Sequence, residues 1–272
     1  MNGSSISDSD FAQFQQLIHG ITGIHLAPVK KALLCGRLAK RLRSRNLSSY
    51  AQYFDLVSSG RDADELEMCV NLLTTNETYF FREPKHFDLL REQIATARKP
   101  GTPLRAWSAA CSSGEEPYTI AMVLADALGD TGMWEVFGSD ISTAVLEKAA
   151  HAQYPLDRAR NIPERYLKKY CLKGVGAQNG TLLVDTPIRN RVRFAQINLN
   201  ESLPQVGEFD VIFLRNVLIY FQIDIKQKVV ARLTNQLKPG GWFIIGHSES
   251  LNGVSETLRQ VMPTIYRKPG AA

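Results

Sequence analysis

Residues 104–128, LRAWSAACSSGEEPYTIAMVLADAL, decide the fold of this chain. LRAWSAA reads as a buried strand, CSSG as a tight turn of small residues, and the remainder as a helix. Glu115, Glu116 and Pro117 suit a first helical turn. Carboxylates complement the positive end of the helix, and proline lacks only an N–H that would have no partner there. Ile120, Val123, Leu124, Ala127 and Leu128 then recur at the helical period along one face. A second strand, WEVFGSD, ends at Asp140, about 25 residues past the turn, near the spacing at which an acid receives ribose hydroxyls. Strand, turn, helix and acid-ended strand make half of a doubly wound sheet. The turn lacks G-x-G-x-x-G, whose glycines let backbone approach a pyrophosphate. A nucleoside ligand without phosphate has no such need. S-adenosylmethionine is one, with ribose hydroxyls, adenine, a sulfonium and an ammonium–carboxylate tail.

The 272 residues suffice for one large or two smaller domains. No apolar run approaches the roughly 18 residues of a membrane span. The polar start, MNGSSISDSDF, has neither the basic nor the apolar region of a signal peptide. Cys35, Cys69, Cys111 and Cys171 are widely spaced without a C-x-x-C pair. Reduced thiols in a cytoplasmic protein without a metal site are therefore expected. The net charge of +5 favours an acidic partner.

From Ser9 to about Asn76 the pattern is helical. Phe11, Phe14, Leu17, Ile18 and Ile21 share one helix face. In APVKKALLCGRLAKRLRSRN, Cys35, Leu38, Ala39 and Leu42 lie on one side and Lys30, Arg37, Lys40 and Arg41 on the other. No acid interrupts residues 28–46. A solvated face would explain this stretch; so would a contact surface for an acidic partner, which the uncompensated like charge favours. DADELEMCVNLLT adds a helix with Leu66, Cys69, Val70 and Leu73 apolar. In TTNETYFFREPKHFDLLREQI, Pro84 opens another helix, and Tyr79, Phe80 and Phe81 are expected to pack between domains. ARKPGTP is a turn-rich link into the central strand.

Past Asp140, ISTAVLEKAAHAQY reads as a crossover helix. IPERYLKKYCLK and GVGAQNGTLLVDTPIRNRVRF interrupt the strand–helix alternation, with turn signals that suggest a small antiparallel hairpin. VRFAQINL is a strand ending at Asn198-Leu199. FDVIFLRN is a continuous apolar run, as in a strand buried on both faces, ending at Arg215-Asn216. IKQKVVARLTNQL is a helix, KPGGWFIIGHSES a turn and strand, and LRQVMPTIYRK a short strand or hairpin edge. Ligands of open α/β sheets bind outside the carboxyl ends of the strands. That places Ala110 to Glu116, Asp140, Asn198-Leu199 and Arg215-Asn216 around one site. Either Glu115 or Glu116 suits an ammonium group. His247 reads equally as a general base and as a structural histidine.

The pieces TTNETYFFRE (74–83), WSAACSSGEEPYTIAM (107–122), VFGSDIS (136–142), FLRNVLIYF (213–221) and LKPGGWFIIGHSE (237–249) occur in one order across nearly the whole chain. In this the chain resembles the chemotaxis receptor methyltransferases of the CheR type. The resemblance implies a class I methyltransferase fold: a Rossmann-like, mostly parallel sheet with an antiparallel last strand. It implies a helical N-terminal receptor-contact domain at 1–75 and a methyltransferase domain at 76–272, with an inserted β-subdomain at about 172–194. The implied activity is S-adenosylmethionine-dependent methylation of glutamate side chains on the cytoplasmic helices of a chemoreceptor. The products would be γ-methyl esters and S-adenosylhomocysteine, and no metal is implied. Cofactor binding is carried onto Asn76, Thr78, Arg82, Glu116, Asp140, Asn198, Leu199, Arg215 and Asn216. Arg82 and Tyr220 are implied to lie near the transferred methyl. Lys30, Arg37, Lys40 and Arg41 become candidate contacts to glutamate-rich receptor helices. The inserted subdomain becomes a candidate dock for a receptor C-terminal peptide. A nucleic-acid methyltransferase and a non-catalytic cofactor-binding scaffold are the alternatives. The first would usually show prolines or a cysteine after the fourth strand, and LRNVLIYF has neither.

Overall fold

The computed structural model describes residues 6–97, 101–129 and 132–270. Parts of the polar start and of the link ARKPGTP lie outside the described residues. The chain forms two compact units, Met1–Thr75 with Tyr220–Ile225, and Asn76–Ile219 with Lys226–Ala272. Among the described residues no helix is long and apolar enough to cross a membrane.

The smaller unit carries α1 (Asp8–Thr22), α2 (Lys31–Ser44), α3 (Tyr50–Ser58) and α4 (Ala63–Leu73). Ser7, Ser49 and Asp62 cap α1, α3 and α4, each accepting from a first-turn N–H that the helix leaves unpaired. Phe14 stacks on Tyr53 and meets Phe54 edge-on, joining α1 to α3. Helix α2 buries Leu34, Leu38 and Leu42. Its positive charge is not uncompensated, contrary to the sequence expectation. The buried carboxylate of Glu65, on α4, accepts from Arg41 Nε at 2.8 Å, Arg45 Nε at 2.6 Å and the Tyr53 hydroxyl at 2.8 Å. Arg37 donates to the carbonyls of Leu72, Leu73 and Thr74, which gives the negative end of α4 a cation. Two of the expected partner contacts, Arg37 and Arg41, thus hold the unit's own helices together. Lys30, Lys40 and Arg43 are exposed.

From Asn76 onward the chain runs through α5 (Lys85–Leu89), a π-helical turn Leu90–Ile94, β1 (Leu104–Ser108), α6 (Glu115–Leu128), β2 (Trp134–Asp140) and α7 (Thr143–His151). It continues as β3 (Gln153–Pro155), α8 (Glu164–Tyr170), β4 (Cys171–Lys173), β5 (Thr181–Val184), α9 (Thr186–Arg189), β6 (Val192–Gln196) and β7 (Phe209–Leu214). The last elements are α10 (Ile223–Asn235), β8 (Leu237–Ile245), β9 (Arg259–Met262) and β10 (Ile265–Arg267).

The main sheet has the order β6-β2-β1-β7-β8-β10-β9. β6, β2, β1, β7 and β8 pair in parallel, while β10 is antiparallel to β8 and β9 to β10. Strand order reverses between β1 and β7, which fixes where a ligand cleft opens. Helix α6 is buried on more than the expected face. Tyr118, Ala121 and Met122 are covered along with Ile120, Val123 and Leu124, while Ala127 is exposed. The helix has the sheet beneath it and the Leu90–Ile94 turn and α9 against it.

Three expectations are corrected. Phe80 and Phe81, expected between domains, have their ring partners within the larger unit, Tyr154 for Phe80 and Phe87 and Tyr166 for Phe81. The inserted segment begins before 172, because β3 joins β4 and β5 in a separate antiparallel sheet ordered β3-β5-β4. β3 is three residues ending in proline, too short to alternate visibly. Its expected end, 192–194, instead belongs to β6 of the main sheet. Finally, KPGG is not a turn before a strand. β8 runs through it with a register shift opposite Phe209 and Val211, a bulge that Gly240 at φ +74 permits.

Candidate active site

All five parallel strands point their carboxyl ends the same way, and each contributes to one cluster. β1 ends at Ser108, β2 at Asp140, and β6 is followed by Asn198 and Leu199. β7 is followed by Arg215 and Asn216, and β8 by His247 and Glu249.

The turn after β1 is built for close approach. Gly114 has φ +94, and a Cβ there would sit 2.8 Å from Ala149 Cβ and 2.9 Å from the Tyr154 hydroxyl oxygen. Ser112 is left-handed at φ +49. Such a conformation is sparsely populated and persists only where neighbours fix it. Here Ser112 N–H donates to Asp140 Oδ2 at 2.9 Å and its hydroxyl to the Asn76 carbonyl at 2.9 Å. Asp140 Oδ1 accepts from Ser142 N–H at 3.0 Å. Burial pushes the Asp140 carboxyl up, and the N–H groups of Ser142, Ser112 and Ile141 oppose that. The Ile197 N–H donates to the Asp140 carbonyl, setting Asn198 and Leu199 beside this acid.

Arg215 is the hub. Its side chain is 1% exposed, and Nη1 donates to Glu116 Oε2 at 2.5 Å. Nη2 donates to Glu83 Oε2 at 3.0 Å and to the Arg82 carbonyl. The Ser108 hydroxyl donates to the other Glu116 oxygen at 2.7 Å. Geometry therefore separates the two adjacent acids. Glu116 faces Arg215, whereas Glu115 is buried with the Ser113 hydroxyl at 2.7 Å and Arg158 at 3.4 Å. Glu83 also accepts from the Asn216 amide at 3.4 Å and from His247 N–H at 3.1 Å. Burial alone would raise its pKa, but Arg215, the His247 N–H and the Asn216 amide outweigh this and hold it below the usual carboxylate range. Asn216, left-handed at φ +57, is fixed by its N–H donating to Glu249 Oε2 at 2.9 Å.

The segment Asn76–Glu83 lies across these strand ends. The Asn76 carbonyl meets Ser112, and the Thr78 carbonyl accepts from Arg158 at 2.6 Å. Phe81 N–H donates to Thr119, and Arg82 donates to the Glu77 carbonyl at 3.1 Å while lying 5.6 Å from the centre of the Tyr79 ring. Asn76, Thr78, Arg82, Glu116, Asp140, Asn198, Leu199, Arg215 and Asn216 thus share the larger unit, at or against its strand ends. Tyr220 falls in the smaller unit, where its carbonyl accepts from His25 N–H at 2.8 Å. Sequence reasoning placed Ser112 at the site only as part of the turn 110–116, and missed Glu83 and Glu249 as its organisers. Both acids lie in loops, where no periodicity marks an inward side chain. His247, considered as a base, is 54% exposed and binds Glu83 through its backbone.

The donor set suits a cationic nucleoside better than a nucleotide. Asp140 and Glu116 flank a turn that offers no glycine-rich phosphate cradle. Burial, with Asp140 and Glu116 nearby, pushes the Cys111 thiol up, so it is no thiolate nucleophile.

A mostly parallel sheet of this order, closed by an antiparallel hairpin, with an acid ending the second strand, defines a class I methyltransferase fold. Residues 76–267 match the family of the CheR methyltransferase SAM binding domain, and residues 9–74 match the CheR methyltransferase all-alpha domain. The chain belongs to the CheR methyltransferase family. It is 41% identical to a chemotaxis protein methyltransferase of Escherichia coli over 96% of this chain and 91% of that protein. It is likewise 41% identical to chemotaxis protein methyltransferase 2 of Pseudomonas aeruginosa over 94% of this chain and 92% of that one. Among solved structures, the N-methyltransferase NodS of Bradyrhizobium japonicum with S-adenosylhomocysteine matches at TM-score 0.42 and 13% identity, over 73% of this chain and 95% of that one.

Proposed function

We propose that this chain methylates glutamate side chains on chemoreceptor cytoplasmic helices, with S-adenosylmethionine as donor. The observation that carries the reading is the joining of Asp140, Glu116 and the Arg215 hub to the segment Asn76–Glu83 at the sheet's reversal point, in a chain of this family. Asp140 would receive the ribose hydroxyls. Glu116 and Arg215 would meet the ammonium and carboxylate of the methionine tail. Asn198 and Leu199 would border the adenine, and Asn76, Thr78 and Asn216 would close the site around the donor. Bound S-adenosylmethionine supplies an activated methyl on a sulfonium, whose departure needs no proton.

A glutamate carboxylate is already ionised at neutral pH, so the protein need not supply a general base. What it must supply is alignment and exclusion of water. Arg82 orients the incoming carboxylate by a charge-assisted hydrogen bond. Full neutralisation would blunt the nucleophile, and Arg82 is only half-buried. Tyr220, four residues beyond Asn216, keeps the role near the methyl that the family resemblance implies. Lys30, Lys40 and Arg43 on or beside α2 serve the acidic receptor helices. The open edge of β4, with Leu172 half exposed and Val175 more so, serves as the dock for a receptor tail.

The test is transfer of labelled methyl to receptor cytoplasmic fragments. Base-labile label is expected on the wild type, with turnover about a hundredfold lower in an Arg82→Ala variant that keeps the fold. Base-stable label, or label on RNA instead, would overturn the carboxylate reading. Unchanged turnover in Arg82→Ala would remove that residue from the mechanism.

A further inference from the structure

Glu83, His86 and His247 bring a carboxylate oxygen and two imidazole nitrogens within 4.8 Å of one another, all in the larger unit. His86 Nδ1 lies 3.5 Å from Glu83 Oε2, and His247 Nε2 lies 3.9 Å from it. A tetrahedral ion with bonds of about 2.1 Å separates its donors by about 3.4 Å. The two separations from Glu83 stand within about half an ångström of that value, and the two imidazole nitrogens lie within 4.8 Å of each other. The rings of His86 and His247 meet edge-on at 5.2 Å.

The tautomer of His86 gives the second observation. With the Thr264 hydroxyl donating to the Pro263 carbonyl at 2.6 Å, its oxygen is an acceptor toward His86. In that arrangement His86 Nε2, 2.9 Å from the hydroxyl oxygen, carries the proton. That leaves Nδ1 as a bare lone pair, in a side chain 1% exposed, with no hydrogen-bond partner. It faces the carboxylate of Glu83, which is also an acceptor. Two buried acceptors facing each other call for something positive between them. Formal charge leaves room for a cation, since Glu83 and Glu116 together face the single guanidinium of Arg215. His247, 54% exposed, opens the cluster to solvent and so gives an ion a way in.

We propose that Glu83, His86 and His247 form a binding site for a divalent ion of the zinc class, which two imidazoles and a carboxylate suit. The ion takes the Glu83 oxygen that Arg215 now holds. Occupancy therefore loosens Arg215 and weakens the donor site, so the ion acts as an inhibitor. The ion site stands on its own geometry, whereas the inhibition rests on the cofactor reading above.

The experiment is calorimetric titration of the chelator-treated full chain with Zn2+ alone, repeated with Co2+ followed by absorption. Saturable 1:1 binding is expected, with cobalt bands of nitrogen and oxygen ligation, and at least about a tenfold weaker affinity in His247→Ala. Because His247 is half exposed and its backbone bond to Glu83 survives, this variant keeps the fold. No saturable binding, which would mean a water bridges Glu83 and His86, overturns the site. So does unchanged affinity in His247→Ala, or a cobalt spectrum of thiolate ligation. S-adenosylhomocysteine titrated with and without Zn2+ then tests the inhibition. Weaker binding with Zn2+ supports it, and equal binding overturns it. No binding even without metal would defeat the cofactor reading and leave the ion site untouched.

Discussion

At the scale of one residue, Arg215 shows why a guanidinium and not an ammonium stands at the end of β7. Its two terminal nitrogens reach Glu116, Glu83 and the Arg82 carbonyl, and it lies 5.4 Å from the centre of the Phe87 ring. A planar fork can serve several fixed acceptors at once, while a lysine ammonium is a single point of charge. Arg215→Ala would leave two largely buried carboxylates without a counter-charge, at a cost of about 3–5 kcal/mol. Arg215→Lys keeps the charge but not the fork. Urea unfolding should show the alanine variant strongly destabilised and the lysine variant less so. Calorimetry should show S-adenosylhomocysteine binding weakened at least about tenfold in both. Wild-type affinity in Arg215→Lys would mean that only charge matters here. The strand-end rule placed Arg215 and Asp140 at the site from sequence alone. It could not find Glu83 or Glu249, because the rule reads strand termini, and these acids sit in loops whose path depends on the finished sheet.

At the scale of an element, α2 was legible as a helix with one apolar side, but its charge was misread. The acid that answers Arg41 and Arg45 sits on α4, about 20 residues further on, so no local spacing reveals it. Within a helix only neighbours three or four apart meet, so nothing around Glu65 in DADELEMCVNLLT marks its partners. Its consequence is a pH dependence. Burial would raise the Glu65 pKa, but hydrogen bonds from Arg41, Tyr53 and Arg45 hold it at about 2, against an ordinary 4.5. Below about pH 4.5 the unfolded chain binds a proton that the folded chain refuses, so folding weakens as pH falls. The contribution, roughly 3 kcal/mol with a fully buried carboxylate, is whole above about pH 5 and is lost by about pH 2. Glu65→Gln should therefore be less stable than wild type at neutral pH, with the gap closing as both are acidified. Urea unfolding followed by circular dichroism at a series of pH values measures this. A gap that stays constant down to pH 2 would show that Glu65 acts by shape and not by charge.

At the scale of the whole molecule, the fold was legible wherever hydrophobic pattern and chemistry agreed. Strand β1, the turn, α6 and β2 could be read because small turn residues, a first-turn proline and a terminal acid all pointed one way. The small antiparallel sheet was only half visible, since β3 is too short to show a period and its partner β5 comes about 25 residues later. The net charge of +5 is likewise a property of the whole, yet its useful part is narrow. Arg37, Arg41 and Arg45 are engaged by α4 and its cap, which leaves Lys30, Lys40 and Arg43 as the exposed cations of this stretch outside those pairs. Exposed charges act through solvent, and salt screens them beyond a Debye length of about 8 Å at physiological strength. The contacts proposed for the donor are short and largely buried, so salt reaches them far less. Raising salt from low to physiological and beyond should therefore lower kcat/KM for receptor fragments several-fold, mainly through association. S-adenosylhomocysteine affinity should change little over the same range. Replacing Lys30, Lys40 and Arg43 together by alanine should flatten the salt response at unchanged cofactor affinity. If the triple variant keeps the wild-type slope, receptor steering belongs to another face of the molecule.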